Sequence, residues 1–485
     1  MQPKLLCLLL FSLALLASPV WSVTKELNVR GGPEPPNKDP FYDPPSGWQN
    51  KSPGTVLRSR QIQGTFLGQK VKFKHTYQLL YRTTGNDGKQ PMTTVTTVFI
   101  PYNARKNQLL VATDPQDANA AKCSASFAFQ PGSNNFLNIF FTLGNLILQA
   151  FTTDGFITTI PDHEGVNGLF ANGRLQGHAA LDALRATLNF KPVGLNKNTP
   201  VAGYGYSGGG IVMGWSSSLQ PTYAPELKVA GWTFGGTPTN LTSTVKSLDG
   251  GLFAGFAVNG VVGLLDGHPK LKDKWSWVIK PVGQKLLNQA RHQCAVASLI
   301  SFAFKTIESE KYIHNGTSLL EWPEIRKVVR HQTMALKKEE TPRAPVFMVH
   351  SHADEIIPYS SAIETAKTWC KNGANIHFRT YTNPFLGHIF NWFFATPEQV
   401  IFLRNVFDGK IKQQGCKFDT SDDPLVDKGV LGEELQEDFH YIKFLFGQRV
   451  GPDDKKFTST LKSEISKYKQ KKSHGSKHGS PSASH

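Results

Sequence analysis

Two spacings of apolar residues take turns along this chain. Residues 71–84 (VKFKHTYQLLYRTT) and 94–101 (TVTTVFIP) tend to alternate apolar with polar positions and are joined by the turn-rich GNDGKQP, so they predict an antiparallel hairpin. LLVAT at 109–113 is an unbroken apolar run, as expected of a buried strand. Beyond it the extended and helical patterns alternate. An apolar helix near 136–150 precedes the strand FITTIP, the amphipathic GHAALDALRATL, the strand VAGYGY, the helix IVMGWSSSL and the strand VAGWTF. Much later come the strand APVFMVH, the helix SSAIETAKTWC and the strand IHFRTYT. Strands separated by helical stretches of roughly ten to fifteen residues predict βαβ units and a mostly parallel sheet, a doubly wound α/β core.

The alternation stops between about Thr239 and Pro342, where the pattern becomes helical and punctuated by glycine. A stretch of that length without strand signal predicts an inserted helical subdomain over the carboxyl ends of the strands, where open α/β sheets bind ligands. The competing reading makes it part of one larger core. Within GGLFAGFAVNGVVGLLDG, residues 250–267, the small residues allow close helix packing, while Leu252, Phe253, Phe256, Val258, Val261, Val262, Leu264 and Leu265 are expected to supply a hydrocarbon lining.

The two ends of the chain differ from the body. Lys4 precedes the apolar run LLCLLLFSLALLA, which is too short to span a bilayer and closes on Val20-Trp21-Ser22, so a secretory signal peptide cut after Ser22 is expected. Of the formal +16 charge, the segment from Lys455 onward carries +7, with eight lysines against one glutamate, and the rest of the chain +9. Such a Lys/Ser/Gly/His tail cannot bury a core. It is expected to be a solvated tail, with binding to anionic surfaces as the alternative. The expected organisation is therefore a signal peptide at 1–22, an α/β core at 23–238 and 343–454, a helical insertion at 239–342 and a tail at 455–485.

Loss of the signal peptide removes Cys7 and leaves Cys123, Cys294, Cys370 and Cys416. An even number in an oxidising compartment predicts two disulfides, with three pairings possible. No CxxC pair or His/Cys cluster points to a metal. Sequons at Asn50, Asn240 and Asn315 are compatible with glycosylation of an exported, extracellular chain. A monomer with no nucleic-acid partner is expected.

The chemistry concentrates at Gly203-Tyr204-Gly205-Tyr206-Ser207-Gly208-Gly209-Gly210, a G-x-S-x-G pattern directly after a predicted strand and before a predicted helix. A nucleophile there sits on a sharp turn whose flanks need residues without bulk, here Gly205 and Gly209. Ser207 is the candidate nucleophile, and the backbone N–H of Gly208 a candidate oxyanion donor. A phosphate loop is the alternative, but the Lys-Ser/Thr ending and the G-x-G-x-x-G spacing are both missing.

A serine hydroxyl needs an imidazole to take its proton and a carboxylate to orient that imidazole, in the chain order Ser, Asp/Glu, His. Asp354 lies just past APVFMVH, and His388 lies past IHFRTYT, with Gly387 leaving it room. The 34 residues between them are one strand–helix–strand unit. Glu355 is the alternative acid. His350, His352 and His377 are too near or within strands and are read as structural or surface residues. Asp162, His163 and Glu164 precede Ser207 and are read as a loop network near the pocket.

GYGYSGGG, the segment PDHEG…GR…GH..LD..RA at 161–186, HADEIIPY at 352–359 and Gly387-His388 together resemble the fungal secretory lipase family, over nearly the whole chain up to about residue 450. The resemblance implies an α/β-hydrolase fold with a helical cap, triacylglycerol hydrolysis, lipid-ester substrates met at a lipid–water interface and no cofactor. It assigns Ser207 as nucleophile, Asp354 as acid and His388 as base. It adds Asp117, six residues before Cys123 in TDPQDANAAKCSASFAF, as a second oxyanion-hole donor, and favours the pairs Cys123–Cys294 and Cys370–Cys416. The expected reaction is ester hydrolysis through an acyl-enzyme. A carboxylesterase for shorter esters, a serine peptidase and a catalytically silent binding protein are the alternatives.

Overall fold

The computed structural model describes residues 32–422 apart from 67–68, 106, 134–150, 153, 272–276, 315–318 and 412–413. The expected signal peptide at 1–22, the helix near 136–150, the Asn315 sequon and the tail at 455–485 lie outside the described residues.

Ten strands make one sheet: β1 (Val56–Gln61), β2 (His75–Thr84), β3 (Pro91–Ile100), β4 (Leu109–Thr113), β5 (Ile157–Pro161), β6 (Val201–Tyr206), β7 (Val229–Gly235), β8 (Val346–Ser351), β9 (Ile376–Tyr381) and β10 (Cys416–Ser421). Their spatial order is β1-β2-β3-β5-β4-β6-β7-β8-β9-β10. The β1–β2, β2–β3 and β3–β5 pairings are antiparallel and all the others parallel. The predicted hairpin is present, with His75 opposite Ile100 and Thr84 opposite Pro91. It begins later than expected, because the Val71 amide bonds the Gly64 carbonyl outside the sheet. The edge strands β1 (VLRSRQ) and β10 (CKFDTS) gave no apolar signal, and charged edges are how open sheets avoid pairing with other chains.

The helices are α1 (Gly173–Asn189), α2 (Gly208–Tyr223), α3 (Leu241–Leu248), α4 (Ala254–Asp266), α5 (Pro281–Ala290), α6 (Ala295–Phe302), α7 (Pro323–His331), α8 (Tyr359–Lys371) and α9 (His388–Phe407). Strand alternation divides the core in two. Leu109 and Val111 of β4 share one cluster with Leu181 of α1, Ile211 of α2 and Trp369 of α8. Leu110 and Ala112 share the other with Trp392 and Leu403 of α9. Helices thus cover both faces of a mostly parallel sheet, the α/β-hydrolase arrangement that the sequence predicts.

Helices α3 to α7 all fall between β7 and β8, and an isolated bridge between Ile279 and Ile313 is their only strand-like pairing among the described residues. A Cβ on Gly255 would come 2.6 Å from the Ser298 carbonyl, so α4 and α6 pack as closely as the glycines suggested. The Cys123–Cys294 disulfide ties the insertion to the segment after β4, and Cys370–Cys416 joins α8 to β10. At its far end the buried pair Arg174–Glu340, 2.6 Å apart, fastens the insertion to α1.

Candidate active site

Ser207 sits between β6 and α2 with φ 55° and ψ −122°, a conformation that few side chains tolerate. The turn is possible because its flanks carry no side chains. A Cβ on Gly205 would run into the Gly209 carbonyl, and one on Gly209 into the Thr113 carbonyl of β4. The hydroxyl is thereby raised above the carboxyl end of the sheet at the N-terminus of α2.

His388 Nε2 lies 2.8 Å from Ser207 Oγ, and His388 Nδ1 lies 2.7 Å from Asp354 Oδ2. With the Nδ1 proton donated to Asp354, Nε2 is left as acceptor for the serine proton. Asp354 Oδ1 accepts the amides of Ile356 and Ile357 at 3.0 and 2.7 Å, while His350 Nε2 stands 3.2 Å from Oδ2. Burial would raise the Asp354 pKa, but His388 and His350 outweigh it and hold the carboxyl ionised well below its usual range. Burial likewise opposes a charge on His388, yet Asp354 first, then Glu355 and Asp117, lift its pKa above the ordinary value.

Glu355 does not approach the ring. Its Oε2 accepts the backbone amide of His388 at 2.8 Å, and a Cβ on Gly387 would strike that carboxylate. Gly387 therefore serves the approach of Glu355, and His388 opens helix α9 where a loop residue was expected. Tyr206 donates its hydroxyl to the His388 carbonyl at 2.9 Å. His350 is buried against the acid, His352 is exposed beside Tyr359, and His377 in β9 binds Asp419.

Asp117 has φ 48°, is buried, and sets Oδ1 where a side chain at position 208 would be. Burial pushes its pKa up to about 7, with His388 pulling the other way. Glu164 is fully buried with neither carboxylate oxygen hydrogen-bonded, and burial, then Asp117, raise its pKa well above the carboxylate range. Asp162 accepts hydrogen bonds from the amide and hydroxyl of Ser126. The trio Asp162, His163 and Glu164 is thus entirely buried behind the site. No group of three or more residues suited to holding a metal occurs among the described residues.

An apolar cavity opens from Ser207, Gly208 and Asp117 into the insertion, between Leu241 and Leu248 of α3, α4, Leu320, Val329 of α7 and Ile357. Of the expected lining from 250–267 only Phe256, Val261 and Leu264 face the cavity, joined by Ala257 and Gly260. Those positions share one side of a helix, whereas Val258, Val262 and Leu265 are buried without lining the cavity. Asn50 is exposed, whereas the Asn240 side chain caps α3 by accepting from the amides of Thr242 and Ser243.

Residues 134–415 match the secretory lipase family. The chain is 40% identical to a secreted triacylglycerol lipase of Malassezia furfur, over 86% of this chain and 85% of that one. It is 41% identical to another from Malassezia restricta, over 87% and 90%. Candida antarctica lipase A in its closed state superposes with a TM-score of 0.75 at 28% identity, over 87% of this chain and 99% of that one. An esterase from Xanthomonas oryzae shares the fold at 14% identity and a TM-score of 0.58, over 74% of this chain and 100% of that one. A match that spans strands β5 to β9, the insertion and the Ser207 elbow, alongside relatives of this identity and coverage, means that the chain belongs to the secretory lipase family.

Proposed function

We propose that this chain is a secreted lipase that hydrolyses acyl esters, triacylglycerols among them, through an acyl-enzyme on Ser207. The observation that carries the reading is the hydrogen-bonded line Ser207–His388–Asp354 at the mouth of an apolar cavity. His388 takes the Ser207 proton as Oγ attacks the ester carbonyl, and Asp354 stabilises the imidazolium. The Gly208 amide and Asp117 hold the oxyanion. His388 then passes the proton to the departing alcohol, and water releases the acid by the same steps in reverse order. In this reading 239–342 is the substrate-binding cap, carried on a core made of 23–238 and 343–454. The names of the Malassezia relatives support triacylglycerol as substrate and export as destination.

The cavity also favours an acyl chain over a peptide, since its lining is almost wholly apolar. Each methylene moved out of water contributes roughly 0.8 kcal/mol, so six more methylenes are worth about 5 kcal/mol if all are enclosed. The test is a panel running from p-nitrophenyl acetate to emulsified long-chain triglyceride, with a peptide panel beside it, for the wild type and Val261→Asp. Val261 is buried on the cavity face of α4. We expect the wild type to favour longer chains and to leave peptides intact, and Val261→Asp to lose at least tenfold more activity on long than on acetate esters. Equal loss on both would point to damage of a core element rather than of a substrate cap.

A further inference from the structure

Helix α4 carries a residue that its apolar pattern does not explain. Between Ala254 and Leu265 every side chain is apolar or absent except Asn259. It is fully buried, and its Oδ1 has no partner. Burying that oxygen unpaired is a cost, so packing alone does not call for asparagine. What the amide adds is one bond: Nδ2 donates to the Asp117 carbonyl at 2.8 Å, across 142 residues of sequence.

That carbonyl belongs to a left-handed, non-glycine residue, and such a conformation persists only where its surroundings hold it. Asn259 grips the carbonyl from the cap. We infer that Asn259 is a positioning residue through which the seating of helix α4 completes the oxyanion hole, an inference that rests on the proposed role of Asp117. The same helix lines the acyl cavity with Phe256, Val261 and Leu264. Chain binding and oxyanion geometry are therefore coupled through one rigid element.

The test uses a soluble butyrate ester, which makes little demand on the acyl cavity. Asn259→Leu should lower kcat about tenfold, with KM changed less than about twofold and the thermal midpoint lowered by only a few degrees, since the buried Asp117 carbonyl loses its donor. Introduced into Asp117→Ala, it should lower kcat by less than about twofold further, because the two substitutions disable one device. Should Asn259→Leu not fold, Asn259→Ala gives the same readings. A drop in kcat for Asp117→Ala together with normal kcat for Asn259→Leu overturns the inference and leaves the oxyanion assignment standing. A loss that adds in full to that of Asp117→Ala also overturns it. Normal kcat for Asp117→Ala restricts the oxyanion role to the backbone amide and overturns this inference as a device that seats the side chain.

Discussion

Ser207→Ala, His388→Ala and Asp354→Ala should each lower kcat on any ester by about a thousandfold or more while leaving the thermal transition nearly unchanged. The three groups act as one unit, so combining two of the substitutions should cost little beyond either alone. Asp354 needs the closest scrutiny because a second carboxylate adjoins it. Asp354 accepts the imidazole N–H, whereas Glu355 accepts the backbone amide of the same histidine. Glu355→Ala should therefore lose only about tenfold, through a less firmly placed His388. Near-normal turnover in Asp354→Ala, with loss of activity in Glu355→Ala, would reverse the assignment of the acid.

The second large effect is expected at Asp117. Asp117→Ala should lower kcat about a hundredfold with little change in KM, since an oxyanion donor acts mainly in the transition state. Its carboxyl lies over Gly208 beside Ser207, which favours it as the donor, and a carboxyl donates only when protonated. Burial raises its pKa to about 7, so the donor is lost as pH rises through that value. His388 must be neutral to accept the serine proton, and its raised pKa means that this condition is met only as pH climbs past the ordinary histidine value. The kcat profile should be a bell near neutrality. Asp117→Asn donates at every pH, so it should keep most activity and lose the alkaline fall. An unchanged alkaline limb in Asp117→Asn, with normal kcat in Asp117→Ala, would restrict the residue's part to its backbone.

Much of this was legible in the chain because the decisive constraints are local. A nucleophile turn needs Gly205 and Gly209 within four residues of each other, and buried parallel strands such as LLVAT and VAGYGY announce themselves by continuous apolarity. Long-range partners left no such trace. His350 looked like a strand histidine because its contact with Asp354 depends on how the following loop folds back. Asn259 interrupts an apolar run, but nothing in the sequence named its partner at Asp117. The lining was overcounted for a related reason: apolar residues covering a whole helix do not reveal which side faces a cavity and which the core. β1 and β10 escaped because edge strands carry charge where central ones carry valine and leucine.

The central claim, a covalent acyl-enzyme on Ser207 fed from an apolar cavity, is tested most directly by trapping it. A long-chain alkyl phosphonate ester, which phosphonylates an activated serine and then hydrolyses slowly, is incubated with the intact protein, and the labelled peptide is located by mass spectrometry. The expected result is one adduct per chain, on Ser207, appearing in step with loss of esterase activity and faster than with a short-chain phosphonate. An adduct on another residue, or complete labelling of Ser207 with activity retained, would contradict the account.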